Sequence, residues 1–140
     1  MRRLTTLRSA LCALLCALGA AASAADFVVI VNKDNPNPVN AEFTAKAYRG
    51  EAKSWPAGGN VNTYALPEDN ATRIAFDKET LGKSPAQSKT LWAQLTFSGK
   101  AVPPKILDSD DAVIKAVADN KNGIGYVSAG ASVGSVKAIK

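Results

Sequence analysis

The chain has 140 residues, 17 basic against 12 acidic, two cysteines and no histidine. Without histidine there is no His-based triad and no histidine metal site. Its net charge of +5 falls to +2 without the three arginines of the first 25 residues, and +2 with no run of Lys or Arg gives no electrostatic footprint for nucleic acid.

The first 25 residues read as an export signal. Arg2, Arg3 and Arg8 form a basic leader, Ala10 to Ala22 is almost wholly apolar, and Ala22-Ser23-Ala24-Ala25 supplies small residues for cleavage. The apolar stretch is shorter than the roughly 20 residues that span a bilayer, so no membrane insertion is expected after cleavage. Cleavage removes Cys12 and Cys16, which excludes disulfide and thiol chemistry from the mature chain. It also removes three arginines, so the 17 basic residues become 14 and the charge falls from +5 to +2. A periplasmic or secreted domain over 26–140 follows, long enough for one core but not for two ordinary lobes.

Phe27 to Val31 is a continuous apolar, β-branched run, predicting a strand buried on both faces as in a parallel sheet. Asp34-Asn-Pro-Asn-Pro38 is a turn cluster. Asn40 caps a predicted helix with Phe43 and Ala47 on one face, ended by Arg49-Gly50. A loop from Trp55 to Gly59 leads to a predicted strand near Asn62 to Leu66. A second helix starts at Asp69 or Asn70 and runs to about Leu81. A third is capped by Ser84, opens with Pro85 and places Leu91, Trp92 and Leu95 on one face. A short extended piece covers Lys105 to Leu107, then Asp108-Ser109 cap a helix carrying Val113, Ala116 and Val117. Ile124 to Val127 and Val136 to Ile139 are the last predicted strands. Strands alternating with helices predict a three-layer α/β/α sandwich.

Five short motifs stand in order along these elements. They are Tyr48-Arg49-Gly50 with Trp55, Gly58 and Gly59; Asn62 to Leu66; Ala71-Thr72-Arg73-Ile74-Ala75-Phe76; Phe97-Ser98-Gly99; and Gly123-Ile124-Gly125-Tyr126-Val127. Together they resemble the substrate-binding proteins of phosphate ABC transporters, in the type II periplasmic-binding-protein superfamily. The resemblance covers nearly all of the mature chain and implies one lobe of a two-lobed receptor, without the Gly/Ser-rich N-terminal segment that carries half of the family's phosphate ligands. A single lobe would bind at an open surface, pair with another copy, or act through a protein partner.

The resemblance also places a site. In the family a loop of the form R-S-D-G-S-G-T meets phosphate at the start of a helix, where free N–H groups and the helix dipole favour an anion. Aligned on Phe76, Leu66 to Arg73 falls on that loop. Thr72 and Arg73 match, and Glu68 stands where the family has an acidic residue. Leu66 stands in place of the clamping arginine, Asn70 of the serine and Ala71 of the close-approach glycine. Asn70, Ala71, Thr72 and Arg73 are therefore the candidate phosphate or oxyanion ligands, with no cofactor and no metal. The plainer alternative makes Asp69 or Asn70 a helix cap and Arg73 a solvated surface residue.

The remaining candidates have structural explanations. Asp108 to Asp111 sit in the first turn of a helix, as acidic residues favour, and Ala112 and Val113 occupy positions where a calcium loop needs an oxygen ligand and a glycine. Trp55 and Trp92 are assigned to the core and a loop seal. No catalytic constellation emerges. Two functions stand: a solute-binding-like protein taking phosphate or another small oxyanion and delivering it to an ABC permease, or a non-catalytic accessory domain of the same fold that has lost the ligand and contacts another envelope protein.

Overall fold

The computed structural model describes residues 26–139, so the predicted signal peptide lies outside the described residues. Five strands form one mixed sheet: β1 (Phe27–Val31), β2 (Asn62–Ala65), β3 (Lys105–Ile106), β4 (Gly123–Ser128) and β5 (Lys137–Ile139), in the order β3-β2-β4-β1-β5. β2 runs parallel to both β3 and β4, whereas β1 is antiparallel to both β4 and β5. The sequence reading of β1 as a parallel-type strand is thereby corrected. Its burial was legible, with Ile30 and Val31 fully enclosed. Its direction is fixed by pairing with β4, from Phe27 opposite Ser128 to Val31 opposite Ile124, and a hydrophobic run carries no record of that.

Four helices flank the sheet. α1 (Ala41–Tyr48), α2 (Ala71–Phe76), α3 (Pro85–Phe97) and α4 (Asp110–Ala118) each begin at a predicted cap: Asn40, Asn70, Ser84 and Ser109 accept hydrogen bonds from the first free backbone N–H groups. Ser84 and Gln87 complete a reciprocal capping box. The predicted second helix is not one continuous α-helix. After Phe76 it widens into a π-helical turn, Asp77–Leu81, which ends at Gly82 with φ 65°.

Successive residues of β4 serve opposite layers. Ile124 and Tyr126 face α1 and α2, and Tyr126 stacks on Phe76. Gly123 and Gly125 face α4 instead, and a Cβ at Gly125 would stand 2.6 Å from Val113 Cγ1. That glycine is what lets α4 lie close on the sheet. Gly125→Val is expected to force α4 outward and cost about 1–3 kcal/mol by overpacking, read as a lower urea midpoint at unchanged slope. A wild-type midpoint in that variant would refute the close-approach role. Trp55 is buried, stacks on Phe43 at 5.0 Å and donates from Nε1 to Asn122 O; Trp92 donates to Tyr48 O, closing α3 onto α1. Both tryptophans thus have the structural roles expected of them.

Candidate functional site

β2 delivers the chain to the predicted ligand loop. Ala65 ends the strand, and Leu66 turns inward to become one of the fully buried core residues. Its backbone is held from two sides. Leu66 N–H donates to Tyr126 Oη at 3.2 Å, and Leu66 C=O accepts from Arg73 Nη1 at 2.8 Å. The position where the resemblance sought an arginine is therefore a core anchor.

At the start of α2, Asn70 Oδ1 accepts from Thr72 N–H at 2.8 Å and Arg73 N–H at 3.3 Å. The carboxamide oxygen occupies the place an anion's oxygen would take, since both seek the same unpaired donors. Ala71 is exposed and Thr72 is buried, with no hydrogen bond from its hydroxyl among the described residues. Glu68 pairs with Lys89 at 3.3 Å on the surface, a contact of small energetic weight.

Arg73 differs from the solvated residue of the plainer alternative. It is 6% exposed, and its Nε donates to Asp77 Oδ2 at 2.7 Å, with Asp77 only 2% exposed. The guanidinium thus ties the first turn of α2 to the π-helical turn and to Leu66, pointing into the fold. The i, i+4 spacing of Arg73 and Asp77 was the signal available in the sequence for this pair. The structure brings Asn70, Ala71, Thr72 and Arg73 together at one helix start, with two N–H groups satisfied internally and the arginine turned inward.

Burial raises the Asp77 carboxyl above the ordinary carboxylate range, against the opposing pull of Arg73 and a smaller one from Ser88. The Ser88 hydroxyl itself has no hydrogen-bond partner of standard geometry, so its part is the lesser. The folded state therefore keeps the Asp77 proton to higher pH than the unfolded chain does. Its contribution to stability is fully present below the unfolded value of 3.8 and is lost as pH rises through the raised folded value. Urea midpoints across acidic pH should show this falling component in the wild type and not in Asp77→Asn. Equal slopes in the two proteins would rule it out. Burial likewise pushes both Tyr48 and Tyr126 up, so both remain neutral phenols; Tyr48 Oη donates to Tyr64 O at 2.6 Å.

Asp110, in the predicted acidic first turn, accepts from both the backbone N–H and the hydroxyl of Ser128. Among the described residues no cluster of acidic, histidine or cysteine side chains is arranged to hold a metal. Nor is any described helix long and apolar enough to cross a membrane.

The mixed sheet, its flanking helices and the helix starts beyond the carboxyl ends of β2 and β3 make an α/β fold. Solved structures make the likeness specific. An ABC-type phosphate transport receptor from Vibrio cholerae superposes with a TM-score of 0.64 at 20% identity, over 82% of this chain and 45% of the receptor. A phosphate-bound ABC transporter substrate-binding protein from Clostridium perfringens gives 0.64 at 22% identity, over 82% and 44%. PstS from Borrelia burgdorferi gives 0.57 at 15%, over 75% and 41%. The chain spans less than half the length of these proteins. No protein-family profile and no curated protein matches its sequence. The chain therefore shares the fold of the matched part, less than half, of these phosphate-transport receptors.

Proposed function

We propose that this chain is an exported, non-catalytic solute-binding-like domain of the phosphate-receptor type, which meets phosphate or another small oxyanion at the Asn70–Arg73 helix start. The observation that carries this reading is the fold shared with phosphate-transport receptors, one of them phosphate-bound. Thr72, with its hydroxyl uncommitted among the described residues, lies at a helix start beyond the carboxyl end of β2, where open α/β sheets present ligands. Its partner in delivery would be an ABC permease or another envelope protein.

The internal bonds of Asn70 make the expected affinity low, because an anion must displace the carboxamide to reach two N–H groups. Calorimetry in phosphate-free buffer should give saturable binding near millimolar, about −4 kcal/mol. Asn70→Gly keeps most of the capping energy while freeing both donors, so it should tighten binding several-fold. Thr72→Val should weaken it. The second reading, an accessory domain that has lost the ligand, is favoured by the inward turn of Arg73. Absence of saturable heat in both the wild type and Asn70→Gly at about 10 mM phosphate would reject the oxyanion site and leave that second reading.

A further inference from the structure

At the opposite end of the sheet, where β2, β3 and β4 begin, lies an open cavity of about 660 Å³. Its size is that of a small-molecule site rather than of a single phosphate. Three lysines line it: Lys53 from the α1–β2 connection, Lys100 from the α3–β3 connection and Lys105 from β3. No acidic residue lines it, and the nearest acids in sequence, Glu51 and Asp119, lie outside its walls. The ion pairs among the described residues engage Lys46, Arg73 and Lys89, and none of these three lysines. Of the four lysines between Thr80 and Leu107, a stretch without an acid, Lys100 and Lys105 line the cavity and Lys89 pairs with Glu68 outside it.

Apolar side chains share the lining: Ala47, Val61, Trp92 and Val102, of which Trp92 is buried and Val102 is 84% exposed. Gly50, at φ 79°, packs beneath Leu95 and Trp92, where a Cβ would come within 2.8 Å of Leu95. Tyr64 adds a directional group: its Oη accepts from Asn120 Nδ2 at 3.0 Å and keeps its own proton to donate into the cavity.

From this juxtaposition of three lysines outside any ion pair among the described residues with an exposed apolar side chain, Val102, in one cavity lining we infer that the cavity binds a small organic polyanion, an aromatic or other apolar body bearing two or three carboxylates or phosphates. Contact of the body with the exposed Val102 supplies affinity, and the lysines select charge. The site is separate from the Asn70–Arg73 helix start and does not depend on it.

The test uses benzene-1,3,5-tricarboxylate, whose three carboxylates match the three lysines, titrated into the mature chain and followed by amide NMR shifts. Saturable binding is expected, mapping to β2, β3 and the 98–104 loop and weakening steeply as salt rises. The triple variant Lys53→Gln/Lys100→Gln/Lys105→Gln should lose at least about tenfold in affinity while keeping a folded spectrum. Asn70→Gly and Thr72→Val should leave this binding unchanged, which separates it from the phosphate site. Failure to saturate at about 10 mM, or undiminished affinity in the triple variant, would overturn the assignment.

Discussion

Arg73→Ala is expected to destabilise the domain by about 3–5 kcal/mol, the cost of leaving a buried charge without its partner. Arg73 and Asp77 are both nearly enclosed, and their 2.7 Å contact is the only ion pair among the described residues with both side chains buried. Removing the guanidinium also strands Leu66 C=O in the core. Against the 5–15 kcal/mol that holds a typical domain together, this loss is large. Burial already raises the Asp77 carboxyl despite the arginine beside it, so the pair as a whole does not greatly stabilise the fold. The double variant Arg73→Met/Asp77→Leu should accordingly lie within about 1–2 kcal/mol of wild type. Urea unfolding of both variants measures this. An Arg73→Ala midpoint close to wild type would show that the pair is not buried as described. The result bears on function too. Lost phosphate binding in Arg73→Ala would report a loosened α2, whereas Asn70→Gly and Thr72→Val change the helix start at little structural cost.

The cap residues made much of this fold legible. Asn40, Asn70, Ser84 and Ser109 each announced a helix within a residue of where it begins, because capping is a local bond between a side chain and the next turn. Gly50 marked a helix end through its left-handed backbone. What stayed hidden depends on distant partners. The direction of β1 is set by β4, almost a hundred residues away in sequence. The inward turn of Arg73 needs Leu66 and Asp77 together, although Asp77 alone was readable at i+4. The lysine-lined cavity gathers positions 53, 64, 92, 100 and 105 from separate elements, and no local pattern joins them. Gly125 read as part of a strand, while its reason, the approach of Val113 on α4, comes from another layer.

Phe76→Ala should be the most damaging core substitution, at about 3–5 kcal/mol. Phe76 is fully buried and meets three aromatic rings at once. It stacks on Tyr126 with centroids 3.8 Å apart and 5° between planes, and takes edge contacts from Tyr48 at 4.8 Å and Phe27 at 5.2 Å. Aromatic pairs contribute about 0.5–1.5 kcal/mol beyond the area they bury, so truncation removes several such contacts and leaves a cavity. Tyr126 is also the residue whose Oη holds Leu66 N–H, so the stack braces the loop that leads into α2. Arg73, one turn earlier on the same helix, holds the other side of Leu66. The two residues therefore support one structural unit, and Phe76→Ala combined with Arg73→Ala should cost less than the sum of the single losses. Additive losses in that double-mutant cycle would mean that Phe76 and Arg73 stabilise the domain independently. Coupling would establish that the inward face of α2, aromatic and ionic together, is what fixes the position of its exposed start.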